Sequence, residues 1–157
     1  MSGGRATVKA KKGISLHAQT GDITAIHPMG HFFTKLFMIE CKHYRDIQWV
    51  PCLYERSSSA VRVFWLQLLK DSNSFCKAPM MIVRQNNYPN IVILDSTGEE
   101  ICINNRFQPL LIIPKLQMKV YLLKDLLLLP FDEIRTRNAG KRIRQRLRTN
   151  NSRPTSN

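Results

Sequence analysis

The chain has no cysteine pair: Cys41, Cys52, Cys76 and Cys102 stand singly. Zinc sites draw their ligands from close pairs such as C-x2-4-C, so no zinc finger or ribbon is indicated. His27 and His31 share an H-x3-H spacing, but no cysteine pair accompanies them. Single cysteines among apolar neighbours read as small core residues in a reduced compartment. No long apolar run is present either. The most apolar stretch, 110–131, is interrupted by Pro114, Lys115, Lys119, Lys124 and Asp125 and cannot cross a bilayer as a plain helix. No apolar h-region follows the basic start of the chain, so the expectation is no secretory signal, no membrane partner and a cytoplasmic protein. There is no G-x4-G-K-[ST] phosphate loop, no Ser-His-Asp set with a nucleophile elbow and no internal repeat.

Acidic residues are missing from both ends. Residues 1–21 contain Arg5, Lys9, Lys11 and Lys12 without an acid, and residues 135–157 contain eight Arg or Lys without one. Residues 22–134 carry 12 basic and 11 acidic side chains, so 12 of the 13 net positive charges reside at the ends. A near-neutral body between basic ends fits a phosphate-seeking protein, with an anionic membrane surface or bland solubilising tails as the other readings. The run Lys141, Arg142, Arg144, Arg146 and Arg148 suits phosphate contacts; nothing in it reads sequence, and it would serve RNA as well as DNA. The expected organisation is a basic flexible arm at 1–16, a core at 17–134, and a basic tail at 135–157 that orders only on a partner.

Along the core, residues 23–26 read as a short strand and His27 to His31 as a turn. Residues 32–41, aromatic and β-branched, read as a second strand forming a hairpin with the first. Ser57, Ser58 and Ser59 offer caps for a helix in which Val61, Phe64, Trp65, Leu68 and Leu69 recur at helical spacing. Strands follow at 80–84 and 91–94 around a turn at 86–90. A turn at Thr97-Gly98 leads to a short strand at 101–103, with an edge strand at 110–113. Residues 120–129 fit helix or strand equally. The pattern is β-β-α-β-β with an extension, an α/β mixed sheet with a helix on one face.

Asp22, Glu40 and Lys42 carry the chemistry. Glu40 and Lys42 alternate around Cys41 and so share one strand face, at the end of an apolar run where an acid and a lysine are costly unless paired or binding something. A hairpin would bring Asp22 beside Glu40. Two convergent carboxylates form a hard-oxygen site for Mg2+ or Mn2+, with Lys42 orienting water or offsetting charge on a phosphate. The plainer reading is an ion pair on an exposed strand face.

The run Gly21-Asp22-Ile23, then Ile39-Glu40-Cys41-Lys42-His43-Tyr44, Phe64-Trp65-x-Gln67 and Ala78-Pro79-Met80-Met81-Ile82-Val83, resembles the PD-(D/E)xK nuclease superfamily. Within it, the chain is most similar to small phage-encoded endonucleases and Holliday-junction-resolvase-like proteins, over about residues 17–95. The resemblance implies a restriction-endonuclease-like mixed sheet with flanking helices, metal bound by Asp22 and Glu40, a catalytic Lys42, and Gln67 near metal-bound water or DNA. Relatives open with a long helix bearing an acidic residue; no acid precedes Asp22 here, so that helix is shortened or deleted. A second subunit, as in a homodimer, is one way to fill the gap.

His43 and Tyr44 are candidates for substrate phosphates or simple strand-end residues, and Trp65 reads as core before base-stacking. Arg84 and the Asn86-Asn87 turn are candidate backbone contacts. Three readings follow: a metal-dependent DNA endonuclease acting on branched or structured DNA, a weak or inactive nuclease-fold protein that binds DNA or RNA, and a basic RNA-associated protein in which Glu40-x-Lys42 is accidental. Of these, DNA as partner and cleavage as activity are the leading expectation.

Overall fold

The computed structural model describes residues 21–47, 49–54, 59–103 and 106–129. The arm expected at 1–16, the N-terminal helix expected to be shortened or deleted, and the tail expected at 135–157 lie outside these residues.

The first expectation to change is the hairpin. Residues 23–25 have no regular structure, and helix α1 (Pro28–Leu36) takes the place of the turn and the start of the second strand. Pro28 opens α1, where its missing N–H has no helical partner to lose and its φ is already helical. Phe32, Phe33 and Leu36 then fall on one side of the helix and pack onto the sheet. Aromatic and β-branched content in 32–36 suggested a strand, but the spacing of the large apolar residues decides for helix. At the far end, Lys77 is only 4% exposed and donates from Nζ to the Thr34 carbonyl at 2.7 Å. It caps the C-terminus of α1, a favourable place for a cation.

Strand β1 (Phe37–Tyr44) follows, then α2 (Trp49–Leu53) and α3 (Ala60–Ser74), which cross over to β2 (Ala78–Gln85). Such a crossover permits the parallel pairing of β1 with β2, Phe37 opposite Ala78 through Tyr44 opposite Gln85. A turn with Asn87 at φ 63° returns the chain antiparallel into β3 (Ile91–Leu94). The short strand expected at 101–103 is instead the end of helix α4 (Ser96–Cys102). Asp95 caps α4 through Oδ1, which accepts from Gly98 N at 2.7 Å, so Thr97-Gly98 is a first helical turn rather than a loop. β4 (Leu111–Ile113) is the expected edge strand, and β5 (Met118–Leu122) passes directly into α5 (Leu123–Leu127). The undecided segment is thus both: strand where it pairs between β3 and β4, helix once Leu123 and Leu126 reach the core.

The five strands form one mixed sheet in the order β1-β2-β3-β5-β4, with helices on both faces. On one face Phe37, Ile39, Met80, Val92 and Tyr121 pack beneath α1, α4 and α5. On the other Met38, Met81, Val83, Ile93 and Val120 pack against Val61, Trp65 and Leu68 of α3. Central strands covered on both faces carry near-continuous apolar runs, as β2 and β3 do. Ser59 caps α3, its Oγ accepting from Arg62 N at 3.4 Å. Trp65 is fully buried and its indole donates to the Leu116 carbonyl at 2.8 Å, so it is core and not a base-stacking platform. Phe64, expected in the core, is 38% exposed. The buried stripe runs through Val61, Trp65, Leu68 and Ser72, and Phe64 falls at its margin above the sheet edge.

Candidate active site

β1 is an edge strand, and an edge exposes backbone N–H and C=O groups that need partners. Gly21 and Asp22 supply them. Gly21 forms a parallel bridge with Ile39, Asp22 N donates to the Ile39 carbonyl at 2.7 Å, and Cys41 N donates to Asp22 Oδ2 at 2.8 Å. Asp22 therefore reaches the residues on either side of Glu40, though not by the expected hairpin. α1 carries the chain around so that it approaches β1 in parallel. Gly21 has φ +96°, and a Cβ there would fall 2.5 Å from the Ile39 carbonyl oxygen. Only glycine fits both the torsion and the approach.

Glu40, Lys42 and Tyr44 alternate along β1 with Cys41 and His43, and point toward the α3 face together with Met38. Lys42 Nζ lies 2.5 Å from Glu40 Oε1, with the two side chains 21% and 18% exposed. The same ammonium stands over the Phe64 ring, 4.4 Å from its centroid. Lys42 is thus held between a carboxylate and an aromatic face, which restricts its rotamers. Phe64 in turn leans on Tyr44, ring centroids 6.4 Å apart. Phe64 had no role beyond core packing in the sequence; its link to Lys42 depends on where α3 crosses the sheet edge, which helical spacing does not encode.

Among the described residues, two buried oxygens here have no hydrogen-bond partner, Asp22 Oδ1 and the Tyr44 hydroxyl. A buried carboxylate oxygen without a donor is costly and calls for a ligand or cation to explain it. Burial first, then the charges of Asp22 and Glu40, push the Cys41 thiol above its ordinary range, with Lys42 partly offsetting them. Both carboxylates are therefore felt at one residue. Burial and then Glu40 likewise raise the Tyr44 phenol.

The remaining candidates separate. His43 lies on the opposite face from Glu40 and Lys42, its Nε2 2.9 Å from Asn86 Oδ1, with Arg84 beside it in register on β2. Gln67 sits one turn beyond Phe64 on α3 and donates to both carboxylate oxygens of Asp71, at 2.9 and 3.0 Å. Lys141, Arg142, Arg144, Arg146 and Arg148 lie outside the described residues. Among the described residues no group of three His, Cys, Asp or Glu side chains is placed to hold a metal, and no helix is long and apolar enough to cross a membrane.

A five-stranded mixed sheet with flanking helices and a Glu-x-Lys pair on an edge strand is an α/β fold of the restriction-endonuclease-like kind. The family described as "Phage putative PDDEXK endonuclease" matches residues 4–136, and the chain belongs to it. No curated protein and no solved structure matches the chain. Membership makes the protein a nuclease of the hydrolase class with nucleic acid as substrate, in a group that generally uses divalent metals.

Proposed function

We propose that the protein is a divalent-metal-dependent endodeoxyribonuclease that hydrolyses DNA phosphodiesters at the β1 edge. The observation that carries this reading is the buried Oδ1 of Asp22, without a partner among the described residues, on a side chain fastened across the residues that flank Glu40. Asp22 and Glu40 are the metal ligands and Lys42 is the catalytic cation. The donor set fits Mg2+ or Mn2+: hard carboxylate oxygens, two in number, suit an ion that takes one or two carboxylates and fills its shell with water and phosphate. When bound, the ion polarises the phosphodiester and lowers the pKa of a water.

The chain's own groups do the rest. Asp22 is pre-aimed because Cys41 N–H fixes one of its oxygens, leaving the other for the cation. Lys42, held by Glu40 and Phe64, offsets the negative charge that develops on phosphate oxygens as water attacks. Tyr44 lies farther along the same face and is a candidate for contact with the same strand. His43 and Arg84, on the other face, touch backbone in this reading only where DNA passes around the end of β1. The basic ends bring affinity without sequence preference, and branched or structured DNA is the substrate class proposed.

Incubation of full-length protein with linear, nicked and four-way DNA, in Mg2+, in Mn2+ and in EDTA, tests the proposal. Cleavage in either metal, absent in EDTA and fastest on the four-way substrate, is expected. Binding without cleavage in any metal would favour the alternative, a nuclease-fold protein that binds nucleic acid and does not cut.

A further inference from the structure

Past Tyr44, the face that carries Glu40 and Lys42 opens into a cavity of about 200 Å3. Among the described residues its walls include Tyr44, Asp46 and Ile47 at and beyond the end of β1, Pro51 of α2, and Ala60 and Val61 in the first turn of α3. Tyr44 is two residues from Lys42, about 6.6–6.8 Å along a strand, so the cavity adjoins the proposed cleavage site.

Its chemistry is selective. Ile47, Pro51, Val61 and the tyrosine ring make the apolar, partly aromatic part of a lining that is otherwise polar. The polar side chains are Ser59, whose Oγ is engaged in capping α3, the Tyr44 hydroxyl, buried with no partner among the described residues, and the Asp46 carboxylate. Asp46 Oδ1 accepts from Gln85 Nε2 at 3.3 Å, and a carboxylate has capacity for further donors. A carboxylate in the wall opposes a second phosphate and favours a neutral ligand bearing N–H groups. The volume is below the roughly 300–1,000 Å3 of pockets that enclose drug-sized ligands, which suits a single ring system rather than a whole nucleotide.

We infer that this cavity receives one unpaired nucleobase of the DNA strand whose phosphate is cut at Glu40 and Lys42. The inference rests on the nuclease reading and sharpens its substrate: a stacked, paired base cannot enter, so cutting takes place where a nucleotide beside the cleaved phosphate is unpaired or swung out, as at the branch of a four-way junction. Asp46 accepts from an exocyclic amine, which cytosine offers and thymine lacks.

The test is equilibrium binding of the full-length protein in EDTA to oligodeoxycytidine, oligothymidine and a uniformly abasic strand of equal length. Wild type is expected to bind oligodeoxycytidine about tenfold more tightly than the abasic strand, the scale of one base stacked on an aromatic ring. Ala60→Phe, filling the cavity from an exposed position, should bring those two affinities within about twofold. Asp46→Ala should abolish the preference for cytosine over thymine and keep that for base over no base. Equal wild-type affinity for intact and abasic strands, or an undiminished preference in Ala60→Phe, overturns the inference. Should Ala60→Phe not fold, an unchanged cytosine preference in Asp46→Ala does so instead. Cleavage in Mg2+ by the same proteins separates the two ideas: base preference without cutting keeps the cavity and removes the nuclease, and cutting without base preference does the reverse.

Discussion

Gly21 is where the smallest substitution should do the most damage. A methyl group there meets the Ile39 carbonyl at 2.5 Å with φ already at +96°, so Gly21→Ala must push Asp22 off the edge of β1. The expected result is a loss of about 1–3 kcal/mol in stability, the cost of strained backbone, with cleavage lost although all three proposed active-site residues remain. Chemical denaturation and cleavage rate, measured together, check it. Asp22→Asn should behave oppositely. The amide oxygen still accepts from Cys41 N–H, so the melting temperature should hold or rise, while stabilisation by Mg2+, visible as a metal-dependent rise in Tm in wild type, should disappear. Phe64→Leu keeps apolar contact and removes the ring beneath Lys42. Rates should fall several-fold, in line with a cation–π contribution of about 0.5–2 kcal/mol, with folding intact by circular dichroism.

At the scale of elements, Lys77 makes α1 sensitive to pH. Burial lowers its ammonium below the ordinary value of 10.5, so the folded protein gives up this proton before the unfolded chain does. Between the lowered value and 10.5 the unfolded state binds more protons, and stability contributed by this group therefore rises with pH across that window. Lys77→Met should remove the rise, read as the difference between the two proteins' stability–pH curves at alkaline pH.

The elements also explain what the sequence made legible. Ser59 and the apolar stripe behind it announce α3, and the turn at 86–90 between apolar runs announces the β2–β3 hairpin, because local chemistry decides both. α1 and α4 were hidden by residues with two meanings. Phe32 and Phe33 suit strands by composition and a helix by spacing, and Gly98 marks a turn unless Asp95 is recognised as a cap. At the proposed site, the shared face of Glu40 and Lys42 is readable from alternation alone. The nearness of Asp22 to β1 is reached through a different connection from the expected hairpin, and the place of Phe64 over Lys42 follows from tertiary crossing and not from local pattern.

For the whole molecule, the governing feature is charge placement: a nearly neutral body, with 12 of the 13 net positive charges carried by the ends. Each phosphate neutralised releases counterions, giving a log–log salt slope of roughly −0.9 per contact on duplex DNA. Removing residues 135–157, with their eight basic side chains, should flatten that slope by several units and weaken binding to all sequences alike. The melting temperature should stay the same. An unchanged slope would assign the phosphate contacts to Arg5, Lys9, Lys11 and Lys12 or to the body.

The proposed division of labour, affinity from the ends and chemistry from Asp22, Glu40 and Lys42, is tested most directly by single-turnover cleavage in Mg2+ at saturating protein, comparing wild type with Glu40→Gln. The account predicts a loss of at least about 100-fold in the variant, the scale of removing one preorganised charge-stabilising group, with DNA affinity within about twofold of wild type. Cutting by Glu40→Gln at the wild-type rate would contradict it and put the reacting phosphate somewhere other than the edge of β1.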